Sequence, residues 1–410
     1  MAPRFVYPRS SNQHRAIIDV PEEDGVMVGG KLVLAGLKSA GGDDRTPHPV
    51  SGMGAVLQSA RLYIGTTVVS ELRQAGQYLT MIAASKTNSQ MASRSAAGDA
   101  SSYSGVTVSD VDVPESADYR TFGMDSPGNI TGDRDTTPET AIPLGHLFGV
   151  LSRDIGSGTI PLSRGKVSIV LEFDPNWATS SLNSSGGDWS GTISEPYLML
   201  EVVPAQESDE AISLTWREPT YAGNSLAAGV DAQEQSVSLH LGYGGMQVFG
   251  VRVALSQTFA HLDDFIGTRG SVMGIDPTVN WRLNGRLWYP SAVEDTLRIS
   301  SEFGQANGGN NPSLTSLGID AEVGDVVAAS MIETDNDLEG MISRRGYIGV
   351  DFGFAPKQVD ESGIVMNYTR LCGGAGIYQQ AKDVHAWADV RRTIGISKPD
   401  ERGRSVVIAV

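Results

Sequence analysis

Short runs in which apolar and polar residues alternate recur along the chain, separated by clusters of Gly, Asn, Asp and Pro. A period of two bounded by turn residues is the pattern of an all-β sandwich. The clearest run is 166–173, where Val167, Ile169, Leu171 and Phe173 face one way and Lys166, Ser168 and Glu172 the other, with Val170 the exception. One face of this strand is predicted to meet a core and the other mostly water. Residues 247–255 repeat the pattern with Phe249, Val251, Val253 and Leu255, and Val384, Ala386, Ala388 and Val390 alternate with His385, Trp387 and Asp389. Two stretches change period: Leu72, Ala75, Leu79 and Ile82 lie at helical spacing, and Ser291 with Glu294 makes a capping box opening a helix with Val293, Leu297 and Phe303.

These elements occur twice. Ser163-Arg164-Gly165 leads into a strand with Val167, Ile169, Leu171 and Phe173, and Gly346 leads into one with Ile348, Val350, Phe352 and Phe354 at the same offsets. Upstream, residues 61–70 read as strand, turn at Gly65 and strand, and residues 281–291 repeat this around Gly285. The glycines come in the same order in each half, 165 − 65 = 100 residues apart in the first and 346 − 285 = 61 in the second. Two copies of one sandwich with insertions of unequal length account for this. The expected division is a basic, extended arm at 1–16 with Arg4, Arg9, Arg15 and no acid, a first unit at 17–205, a second at 206–397 and a C-terminal tail at 398–410. Polar stretches at 87–140, 181–195 and 304–329 are read as ordered, exposed loops.

Composition narrows the functional classes. The 410 residues carry 48 acidic and 31 basic side chains, a net charge of −17, which argues against wrapping nucleic acid directly. The single cysteine, Cys372, excludes an intrachain disulfide framework or a thiolate zinc site and fits a reducing place of synthesis. Apolar runs fall well short of the ~20 residues of a membrane span, and the first residues lack the apolar core of a secretion signal.

Chemistry-bearing residues are few and scattered. Glu172, Glu201 and Asp351 lie on predicted strands and would matter as a glycosidase pair only if two of them converged; they read instead as solvated positions. The run from Asp335 to Gly340 resembles the start of a calcium loop, but position twelve is Gly346, where a bidentate Glu is needed. His14, His48, His146, His240, His261 and His385 show no metal-ligand spacing. The glycine clusters at 242–245 and 373–376 lack the order and partners of a phosphate cradle and read as turns. Asn129, Asn183 and Asn367 match the glycosylation pattern coincidentally for a chain made in the cytosol. No catalytic residue, cofactor site or metal ligand is assigned.

The segments 56–71, 141–149, 160–173 and 246–255, followed by 280–291 with its Tyr289-Pro290 pair, resemble in order the corresponding segments of double jelly-roll major capsid proteins. The similarity spans most of residues 50–395 and is strongest to capsid proteins of Polinton-like viruses and virophages. It implies an all-β chain of two tandem eight-stranded jelly-roll β-sandwiches with short helices and long surface loops. It further implies a non-enzymatic role: three copies form a pseudo-hexameric homotrimer that tiles an icosahedral shell around double-stranded DNA. The implied partners are the chain itself, neighbouring capsomers and minor capsid or penton proteins. The basic arm would add an internal membrane or the genome, without specific nucleic-acid recognition. The implied location is the virion, after synthesis in the host cytoplasm or nucleus. The competing reading, a two-domain carbohydrate-binding or carbohydrate-cleaving β-sandwich protein, needs exposed aromatics along one strand face, and Trp281, Trp288 and Trp387 do not make an evident one.

Overall fold

The computed structural model describes residues 4–34, 53–84, 140–152, 158–175, 196–204, 210–230, 233–257, 275–288, 348–352, 355–372, 382–397 and 407–409. The first unit comprises β1 (Arg4–Val6), β2 (Ser10–Ser11), β3 (Arg15–Val20), β4 (Val26–Leu34), β5 (Leu57–Ile64), β6 (Thr67–Arg73), β7 (Thr140–Pro143), β8 (Ile160–Pro161), β9 (Val167–Phe173) and β10 (Tyr197–Val203), with helix α1 (Ala75–Ala84) after β6. One sheet runs β1-β10-β4-β7, with β8 also on β4, and the other β2-β3-β9-β5-β6. The second unit comprises β11 (Ile212–Leu226), β12 (Gln233–Gly242), β13 (Gln247–Gln257), β14 (Ile275–Leu283), β15 (Arg286–Leu287), β16 (Ile348–Asp351), β17 (Lys357–Gln358), β18 (Ile364–Cys372), β19 (Lys382–Ile396) and β20 (Val407–Ala409). Its sheets run β11-β19-β13-β16 and β12-β18-β14-β15.

Setting aside the short β2, β8, β17 and β20, each unit has eight strands. Numbered along the chain, they form sheets of order 1-8-3-6 and 2-7-4-5 in both units. Pairing the first strand with the last and the second with the next to last is jelly-roll topology, and the chain carries it twice.

Alternation builds each core. Val167, Ile169, Leu171 and Phe173 on β9 pack inward with Ile18, Leu62 and Leu200, while Val251 and Val253 on β13 join Met366, Tyr368, Val384 and Ala386 in the second unit. The fourth and fifth strands form the same hairpin in both units, turned by residues with positive φ: Gly65 at 61° in one, Asn284 at 54° and Gly285 at 74° in the other.

Four expectations change. Residues 4–16 of the expected arm at 1–16 are built into the first roll: β1 is its first strand, in register Arg4↔Leu200 and Val6↔Leu198, and Arg4 and Arg9 meet Glu23 and Asp19. The tail at 398–410 contains β20, which pairs with Ile394–Ile396 at the end of β19. The strands after Gly165 and Gly346 are not counterparts, because β9 is the seventh strand of its roll and β16 the sixth of the other. The true counterpart of β9 is β18, which follows Gly363, and the Asn284 N–H bonds the Gly363 carbonyl much as Gly65 bonds that of Lys166. Gly363 has φ 69°, and a Cβ there would lie 2.7 Å from the Gly242 carbonyl oxygen, so only glycine fits. Finally, α1 starts at Ala75 after a left-handed Gln74 at φ 52°, which leaves Leu72 in β6. The loops at 87–139, 181–195 and 304–329, the Ser291 helix, Gly346 and the Asp335 run lie outside the described residues.

Candidate functional site

The outward face of the β3-β9-β5-β6 sheet is a lattice of internally matched charges. Arg61 bridges Glu71 at 2.7 Å and Glu172 at 3.0 Å, Arg73 meets Glu71 at 3.1 Å, and Ser59 donates to Glu172 at 2.6 Å. Asp19 accepts from Ser168 at 2.8 Å and pairs with Lys166 at 2.6 Å and Arg9 at 3.2 Å. Burial alone would raise its pKa, but these three partners outweigh it and hold the carboxyl below the usual range. Glu172 thus has a place in an ion-pair network. Glu201 lies on β10 in the opposite sheet and Asp351 on β16 in the second roll, so the three carboxylates are distributed over three sheets. Among the described residues no group of three or more His, Cys, Asp or Glu side chains is placed to hold a metal ion. His14 and His240 are exposed, His146 is half-buried in the one-turn helix Leu144–Leu147, and His48 and His261 lie outside the described residues. Tyr243, φ 65°, and Gly245, φ 79°, turn the chain from β12 into β13, and Asn367 accepts a hydrogen bond from Ser238 across the β12–β18 pair.

The densest polar chemistry lies at the seam between the rolls, where the outward face of β11-β19-β13 packs against β6, α1 and the turns around 149 and 164 of the first roll. The side of β19 opposite to Val384, Ala386 and Ala388 is turned to this seam. Trp387 is fully buried and donates its indole N–H to the Arg73 carbonyl at 3.1 Å. His385 stacks on it, with Nδ1 3.1 Å from the Tyr221 hydroxyl. Arg252 of β13 forms a two-pronged pair with Asp389, at 3.1 and 2.8 Å, and reaches the Tyr78 hydroxyl of α1 at 3.3 Å.

Glu218 is the buried acid of the seam. Ser70 Oγ at 3.1 Å and the backbone N–H of Glu71 donate to its Oε1 from the first roll, and the Trp216 indole donates to Oε2 at 2.9 Å. Burial pushes its pKa up, opposed by those hydrogen bonds and the Arg392 charge. At the other end, Arg164 is 1% exposed and donates to the carbonyls of Glu210 at 3.1 Å and Ser397 at 3.4 Å, one just before β11 and one just after β19. Gly149 closes the contact: a Cβ there would lie 2.1 Å from the Arg217 carbonyl oxygen. Sequence reasoning missed this seam, although a tryptophan on the polar side of β19 and an arginine inside the Pro161-Leu162 turn were its available signals.

Comparison with solved structures finds this architecture among viral capsid proteins. PBCV-1 VP54, a crystal structure fitted into a cryo-EM reconstruction of the virophage Sputnik, matches 100% of this chain and 97% of its own at TM-score 0.61 and 10% identity. The mavirus major capsid protein matches 100% of this chain and 90% of its own at TM-score 0.55 and 11% identity. The Faustovirus major capsid protein matches 96% and 90% at TM-score 0.52 and 10% identity. No family model and no curated protein matches the chain by sequence. The shared property is the fold, two tandem jelly rolls in one chain.

Proposed function

We propose that this chain is a structural major capsid protein, and that three copies close into a pseudo-hexameric capsomer that tiles an icosahedral shell. The observation that carries the reading is the tandem with its buried seam. Two rolls of identical topology are joined through a buried, hydrogen-bonded seam, so three chains around a threefold axis present six similar sandwiches, a tile close to hexagonal. The match of this fold to capsid structures over nearly their whole length supports it. In this role the partners are other copies, then neighbouring capsomers and minor capsid or penton proteins, and the protein's place is the virion shell. No reaction is assigned, and no observation favours the carbohydrate reading.

Electron microscopy and light scattering of the purified chain test the proposal. Three copies of 43.5 kDa give a particle of about 130 kDa. Trimers of that mass, or closed shells, are expected. A stable monomer at micromolar concentration would refute it.

A further inference from the structure

The hairpins joining the fourth and fifth strands are held differently in the two rolls. In the first, a main-chain bond runs from the Gly65 N–H to the Lys166 carbonyl at 2.8 Å. In the second, Asn284 takes the first turn position and Gly285 the next, both at positive φ, the pair that a two-residue turn of this hand favours. The Asn284 N–H meets the Gly363 carbonyl at 3.3 Å, and its side chain adds a clamp: Nδ2 donates to the Gln358 carbonyl at 2.9 Å and Oδ1 accepts from the Asp360 N–H at 2.9 Å. One donated and one accepted bond fix which way the amide points. The clamped segment is tied in turn to residues 243–246, with the Gly245 N–H on the Val359 carbonyl and the Val359 N–H on the Met246 carbonyl, each at 2.9 Å. One side-chain amide thus joins the hairpin to two further turns at the same end of the second roll.

We infer that Asn284 is a guarded deamidation site, stable while this clamp is closed and converted irreversibly once it opens. The chemistry needs only water. The Gly285 nitrogen gives up its proton and attacks Asn284 Cγ; the new C–N bond closes a succinimide ring, the Cγ–Nδ2 bond breaks, and ammonia leaves carrying the proton. Water then opens the ring at either carbonyl, giving aspartate or isoaspartate. Gly285 suits the attack, because it has no Cβ and the space where one would stand is open. The fold opposes it. Ring closure turns the amide and expels Nδ2, so both clamp bonds must break first, and local opening of the turns sets the rate. The product does not restore the clamp: aspartate has no donor for the Gln358 carbonyl, and isoaspartate adds a methylene to a two-residue turn. Every molecule that has opened at this end is thereby marked in its covalent structure. The inference is independent of the proposed trimer.

The test holds the full-length chain in mildly alkaline buffer, folded or unfolded in guanidinium chloride at the same pH and temperature, and follows Asn284 by peptide mapping that separates asparagine, aspartate and isoaspartate. Conversion is expected in the unfolded chain, and at least about tenfold more slowly in the folded one. Equal rates, or no conversion in the unfolded chain, overturn the inference. Gly363→Ala, which drives a Cβ toward the Gly242 carbonyl beside the clamp, should speed conversion in the folded state, and an unchanged rate overturns the guard. Should that variant not fold, denaturant below the unfolding midpoint decides instead: hydrogen exchange of the Asp360 amide and conversion of Asn284 should accelerate together, and conversion that ignores the opening overturns the guard. Asn284→Asp, which carries the product's carboxylate, should melt below wild type; an equal melting temperature overturns the clamp.

Discussion

Glu218 and His385 are buried ionisable groups at one seam with opposite pH behaviour. Three donors converge on Glu218, from Ser70, the Glu71 backbone and Trp216. A glutamine there has one acceptor oxygen and turns its NH2 toward one of those donors. A buried donor left unpaired costs about 1–3 kcal/mol, so Glu218→Gln is expected to lower stability by that order at neutral pH, read by calorimetry. A raised melting temperature would mean that the cost of burying the charge outweighs the donors. Burial lowers the pKa of His385 to about 4 from an ordinary 6.5. The unfolded chain therefore takes up this proton first as pH falls. Stability from the neutral ring is complete above 6.5 and lost progressively toward 4. The melting temperature should fall across that window, and His385→Gln should flatten the fall.

At the scale of elements, β1 decides between a loose arm and a working strand. Its three residues pair with β10, and Val6 packs against the first core. Removing residues 2–7 takes away that strand and bares the edge of β10, an open template for association. The truncated chain is expected to melt at lower temperature and to scatter light on storage, whereas a loose arm would leave both unchanged.

For the whole molecule, one buried cluster spans the seam between the two rolls. Trp216, Trp387, Leu214 and Ile394 of the second roll belong to the same buried cluster as the first roll's core, and Arg164 ties down both chain segments that enter and leave the second roll's inner sheet. Heat should therefore unfold the chain in one calorimetric transition. Gly149→Ala, which drives a methyl into the Arg217 carbonyl, should cost about 1–3 kcal/mol and shift or split that transition. Two separate transitions in the wild type would show the rolls to be independent.

The features legible along the chain alone are the local and periodic ones. Val167 to Phe173 alternate because a strand has two sides, and the Gly65 and Gly285 hairpins stand out because a tight turn needs residues that tolerate positive φ. The tandem organisation followed from those signals. Periodicity separates two faces of a strand without saying what covers either one. His385, Trp387 and Asp389 alternate like solvated residues, yet the first roll lies over them. Nor does a local pattern reveal partners distant in sequence: Arg4 to Val6 look like a short basic arm until β10 is placed beside them, and Gly165 looks equivalent to Gly346 until sheet order aligns it with Gly363. Glu218 gives no sign of burial in sequence, since its donors come from Ser70 and Glu71 in the other roll. These positions depend on the folded arrangement, because hydrogen-bond satisfaction and desolvation are set by which surfaces meet, and that is fixed by the packing of strands within each roll and of the two rolls against each other.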